Sequence, residues 1–94
     1  MNESNLTVTN NKQKNRFEIN LDGQIALIEY LEQGDAIAMT HTEVPPEYEG
    51  KGIGSQLVKG ALEIVKADNK KVKPYCPFVA AYIERHQEYQ SLVA

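Results

Sequence analysis

The sequence predicts an α+β domain built on one mixed, mostly antiparallel sheet with two main helices. Segments with alternating apolar residues are joined by two-residue, glycine-containing turns, the mark of antiparallel hairpins. After them come a strand, an amphipathic helix and another strand, the order of a right-handed parallel crossover. Length sets the scale: 94 residues are enough for one modest core and too few for a second lobe.

Residues 1–15 are polar and rich in Asn, and only "LTVT" resembles a strand. A frayed segment or a single edge strand is predicted there, ahead of one domain over residues 16–94. In "RFEINL" the alternation puts Phe17, Ile19 and Leu21 on one face, and Asp22-Gly23 turns the chain into "QIALIEYLEQ". Gly34-Asp35 turns it again into "AIAMTHTEV", which completes a three-stranded meander. Pro45-Pro46 cannot continue a ladder.

A helix is predicted from Ile53 to Ala67, with Ile53, Leu57, Ala61, Ile64 and Val65 on one side and Lys59, Glu63 and Lys66 facing water. "VKPYC" reads as a short strand at an edge or only partly paired, because Pro74 has no N–H to donate. Pro77 suits the first turn of a second helix, where Phe78, Val79, Tyr82 and Ile83 form an apolar stripe. The tail "QEYQSLVA" is expected to fold back on the core.

Composition narrows the functional classes. A formal charge of −3 and a pI near 5.3 argue against a sequence-independent grip on nucleic acid, which needs a basic face. No apolar run approaches the roughly 20 residues that span a bilayer, and the N-terminus lacks the apolar segment of a signal peptide. A cytoplasmic protein without membrane attachment is expected, as a monomer or weak dimer. One cysteine and two histidines leave no disulfide framework and no structural metal site.

The stretch "EGKGIGS" carries the chemistry. Gly50, Gly52 and Gly54 precede a helix whose first N–H groups and positive dipole end make an anion site. A nucleotide P-loop needs Gly-Lys-Ser/Thr after four residues, whereas Lys51 is followed by Gly52. In a dinucleotide fingerprint the third glycine would stand elsewhere and the strand context would differ.

"VPPEYEGKGIGSQLVKGAL" resembles the acyl-CoA pyrophosphate loop of the GNAT N-acetyltransferase superfamily, Gln/Arg-x-x-Gly-x-Gly/Ala at a helix start. Gly52 and Gly54 match its two glycine positions, and Glu49 stands where the family has Gln or Arg. "HTEVPPEYEGKGIGSQLV" followed by "VKPYCPFVAAYIERHQEY" extends the likeness, over roughly residues 16–90, to a subgroup of small GNAT-like proteins. The resemblance implies a minimal GNAT fold with a splayed parallel strand pair. The helices usually found between the first two strands and most of the C-terminal hairpin are missing.

It also implies acetyl-CoA as co-substrate, no metal, and an unidentified amine as acceptor. Val44 and its neighbours match the strand along which the pantetheine arm lies. The amides of Gly50, Lys51, Gly52, Ile53, Gly54 and Ser55 match the pyrophosphate cradle. His41 and Glu43 share a predicted face with Ile37 and Met39, the covered side, and are candidates for the general base, with a backbone-bonded histidine and a rim glutamate as the alternatives.

Cys76 would lie near the thioester as nucleophile, proton donor or packing against the cofactor. Tyr82 resembles the tyrosine that protonates the departing thiolate, in an imperfect register, and equally fits the core stripe. His86 reads as a helix cap. The rival to an acetyltransferase is a non-catalytic acyl-CoA-binding or protein-interaction module.

Overall fold

The computed structural model describes residues 6–94. Its strands are β1 (Thr9–Asn11), β2 (Arg16–Leu21), β3 (Gln24–Gln33), β4 (Ala36–Glu43) and β5 (Lys71–Pro74), and its helices are α1 (Ile53–Ala67) and α2 (Pro77–Arg85). They form a five-stranded sheet in the order β1-β2-β3-β4-β5, antiparallel except for the parallel β4–β5 pair. The edge strand of the N-terminal segment forms at Thr9–Asn11, so that only Thr9 of the expected "LTVT" belongs to it, while residues 1–5 lie outside the described residues.

Turn chemistry sets the register of the meander. Asp22 and Gly23 both have positive φ, 53° and 92°, the requirement of a tight hairpin whose twist matches its strands. The Asn20 side chain accepts a hydrogen bond from the Gly23 amide at 3.0 Å. The turn aligns Phe17 with Ile28 and Ile19 with Ala26. All four are buried on the face that meets α1, and the Phe17 and Tyr30 rings pack 4.9 Å apart between centroids.

Helix α1 buries Ile53, Leu57, Val58, Ala61, Leu62 and Val65 against that face. Lys59, Glu63 and Lys66 are exposed, as the periodicity predicts. Beyond α2 the chain makes a 3₁₀ helix, Gln87–Leu92, that buries Tyr89 and Leu92. The tail then closes on β5: Val93 bridges Val72, and the Ala94 amide donates to the Val72 carbonyl at 2.9 Å. The tail thus folds back as predicted and covers part of a strand edge that would otherwise stand open.

Strand β4 departs from simple alternation. His41 is opposite Glu29 and Met39 is opposite Tyr30, so Thr40 is an extra residue, a β-bulge. Its hydroxyl donates to the Glu29 carbonyl at 3.3 Å. Before the bulge Ile37 and Met39 face the core; after it Thr42 does, paired with Ile28. One inserted residue exchanges the faces of everything that follows.

Candidate active site

The parallel pairing of β4 with β5 ends at Met39 and Pro74, followed by one bond from the Cys76 amide to the Met39 carbonyl at 2.9 Å. Beyond it β4 runs on through Thr42 to Val44, while the β5 side turns into α2. This is the splayed parallel pair, and a cleft opens along it. The cleft, about 480 Å³ in volume, runs from Thr42 and Val44 at one end to Glu49, Gly50 and Gly52–Ser55 at the other, with Tyr48 and Phe78 in its walls.

The loop end is shaped to expose backbone donors. Gly50 and Gly52 both have φ of 80°, a conformation costly for other residues, and among the described residues no atom lies within 4 Å of where a Cβ would stand on either. Gly52 caps α1, and no side chain hydrogen-bonds to the cap. The first intrahelical bond there runs from the Gln56 amide to the Gly52 carbonyl, so the amides of Ile53, Gly54 and Ser55 have no acceptor within the helix.

Open amides, a helix N-terminus and free space above two left-handed glycines fit a pyrophosphate. Glu49 lines the cleft but is exposed. Lys51 is not among the lining residues, and its ammonium lies 5.9 Å from the centre of the ring of Tyr48, which is.

Behind Thr42 at the other end, Cys76 is buried as the N-cap of α2 and is not among the residues lining the cleft; its sulfur lies 3.3 Å from the Thr42 hydroxyl. Burial pushes the thiol pKa up. The Thr42 hydroxyl and the backbone groups of Val79, Phe78 and Thr42 outweigh that and leave it below the ordinary cysteine value.

Two sequence-based placements need correction. His41 and Glu43 do not share the covered face: their side chains are 54% and 64% exposed, because the bulge at Thr40 turns them to the opposite side of the sheet. They stay together there, His41 Nε2 being 3.5 Å from Glu43 Oε1. Phe78 does not belong to the buried stripe of α2. Val79, Tyr82 and Ile83 are buried, but Phe78 is 43% exposed in the cleft, since neighbouring helical residues point about 100° apart.

Tyr82 is not among the residues lining the cleft. It is buried, its ring stacks on His86 at 3.9 Å between centroids, and burial raises its pKa above the usual tyrosine value. His86 caps α2, with Nδ1 2.8 Å from the Tyr82 carbonyl. The residue that sequence reasoning missed is Thr42. Its only signal was position, between His41 and Glu43 on a strand whose alternation was read as unbroken.

Comparison with known proteins agrees with this fold. The family model described as GCN5-related N-acetyl-transferase matches residues 16–92. The chain is 29% identical to Protein NATD1 of Mus musculus over 85 residues, 86% of this chain and 76% of that protein. Protein NATD1 of Homo sapiens is 28% identical, over 86% of this chain and 74% of the human protein. Among solved structures, a GCN5-like protein from Staphylococcus aureus, determined by NMR in solution, superposes with a TM-score of 0.72 at 30% identity, covering 97% of this chain and 90% of that one. The chain belongs to the GCN5-related N-acetyltransferase family.

Proposed function

We propose that the protein binds acetyl-CoA in this cleft and transfers the acetyl group to an amine, acting in the cytosol as a monomer or weak dimer. The family generally uses acetyl-CoA. The observation that carries the reading is the cleft itself: its lining runs from the open-amide cradle at Gly50–Ser55 to Thr42, which covers Cys76, at the point where β4 and β5 part.

Bound acetyl-CoA supplies the acetyl group as an activated thioester. The amides of Gly50, Lys51, Gly52, Ile53, Gly54 and Ser55 hold its pyrophosphate, aided by the α1 dipole. The backbone from Thr42, near the end of β4, to Val44 lies beyond the β5 pairing and is free to pair with the pantetheine arm. Cys76 is 5% exposed, lies outside the cleft lining and contacts Thr42, so packing behind the thioester end suits it better than the role of nucleophile. His41 and Glu43, on the opposite face of the same strand and outside the cleft lining, can serve as base only for an amine that reaches the thioester through the gap between β4 and β5. Tyr82, held between His86 and Tyr89, keeps a packing role.

A second reading, a non-catalytic acyl-CoA-binding module, is favoured by one observation: His41 and Glu43 lie across the sheet from the cleft. Release of free thiol from acetyl-CoA separates the two, measured against a panel of a polyamine, a lysine-containing peptide and an arylamine. Amine-dependent release that disappears in Gly52→Asp supports the transferase. Ligand binding without amine-dependent release supports the module.

A further inference from the structure

Phe78 is a large apolar side chain left 43% exposed in a protein that buries its other phenylalanine, Phe17, to 1%. It sits in the first turn of α2, two residues after Cys76, and its ring reaches across the cleft to the first turn of α1. A Cβ built on Gly54 would lie 2.8 Å from Phe78 Cζ and 3.1 Å from Cε2, so the ring tip is seated in the space that the missing side chain vacates. The ring therefore lies against the Gly54 end of the amide cradle, in the wall of the cleft that Thr42 also lines. A ligand held by the cradle and extending along the cleft has this ring beside it.

We infer that Phe78 is a specificity residue for the donor, an apolar platform recognising the branched pantoate segment that follows the pyrophosphate in coenzyme A. The inference rests on the acyl-CoA reading and adds to it the means of separating a pantetheine-bearing nucleotide from a plain one. The chemistry matches on both sides. The amides and helix dipole suit the pyrophosphate, and the next unit of the ligand is a gem-dimethyl carbon, the most apolar part of the molecule. Directly beyond the pyrophosphate, NAD carries a polar ribose and ADP nothing, so an aromatic face at that position favours the ligand whose next unit is apolar.

Gly54 takes part as the residue that lets the ring lie flat across the cleft. Its neighbour Gly52 has nothing within 4 Å of its Cβ position. The two glycines of the loop thus serve different ends: Gly52 leaves room for the anion, and Gly54 leaves room for Phe78.

The test is titration calorimetry of the full chain with coenzyme A and with 3′-phospho-ADP, its nucleotide half, on wild type, Phe78→Ala and Phe78→Leu. Removal of an apolar face of aromatic size is expected to weaken coenzyme A about tenfold in Phe78→Ala, and less in Phe78→Leu. The affinity for 3′-phospho-ADP should stay unchanged. Phe78 is partly exposed, so its truncation leaves the core intact, and Phe78→Leu reads the same split should the alanine variant fold poorly. Equal weakening of both ligands would mean that the ring stacks on the adenine, and no weakening of either would mean that it is a bystander; both overturn the inference while leaving the acyl-CoA reading in place. A wild-type protein that binds neither ligand would refute the two together.

Discussion

The Thr42 hydroxyl lies 3.3 Å from the Cys76 sulfur, linking β4 to the start of α2 just beyond the last paired residues of the β4–β5 ladder. That contact helps to hold the thiol below its ordinary pKa against the opposing effect of burial. Thr42→Val keeps the shape and removes the hydroxyl, so the thiol pKa should rise. Alkylation of Cys76 by iodoacetamide across pH 6–10 is expected to shift to higher pH in the variant. An unmoved profile would mean that the backbone groups at the start of α2 set the thiol alone.

Gly52 caps α1 at a φ of 80° with open space above it. Aspartate is a good helix cap and tolerates the left-handed region better than most residues, so Gly52→Asp should fold, at a cost of about 1 kcal/mol. Its carboxylate would occupy the anion position, and binding of acetyl-CoA should be lost. Circular dichroism melts check the first half of this expectation and calorimetric titration the second.

Gly60 faces the N-terminal segment across α1. A Cβ there would lie 2.3 Å from Val8 Cγ2 and 2.6 Å from Val8 Cβ. Overpacking of this kind costs about 1–3 kcal/mol, more than the gain of about 1 kcal/mol in helix propensity. Gly60→Ala should therefore lower stability to urea. Val8→Gly in the same chain removes every side-chain atom that the new methyl meets and should relieve the clash, giving a coupling of at least about 1 kcal/mol in a double-mutant cycle. Additive effects would place the N-terminal segment elsewhere.

Tyr89 is buried at the C-terminal end and donates a 2.6 Å hydrogen bond to Glu63. Burial, first, and the Glu63 carboxylate, second, raise its pKa above the ordinary tyrosine value. A raised acid favours the protonated folded state. The stability it contributes is complete below the unfolded tyrosine pKa of about 10 and is lost as pH rises above it. Thermal midpoints should fall between pH 9 and 11, and Tyr89→Phe should flatten that fall while lowering stability at pH 7 by about 1 kcal/mol.

Much of this architecture is legible in the sequence. Alternation in "RFEINL" and "QIALIEYLEQ" and the Asp22-Gly23 turn mark β2 and β3 at their observed limits, and the 3.6-residue period marks α1 over Ile53–Ala67. These are local signals, set by one stretch of chain. The site's polar geometry is less legible because it depends on a single bulged residue. Thr40 has no composition that marks it, yet it sends His41 and Glu43 to the open face and brings Thr42 to Cys76. Phe78 eluded the stripe for a related reason: on a helix the edge of an apolar face and its centre share the same residue types, and only the neighbour, here Gly54, distinguishes them.

Thermal unfolding with and without saturating acetyl-CoA, with ATP and NAD as controls, tests the central claim most directly. Ligand at about 100 times its dissociation constant adds roughly 2.7 kcal/mol, a rise of about 10 °C or more for a domain of this size. The account predicts that rise for acetyl-CoA alone, and its loss in Gly52→Asp. No shift at millimolar acetyl-CoA, or an equal shift with ATP, would contradict the assignment of Gly50–Ser55 to the pyrophosphate of an acyl-CoA.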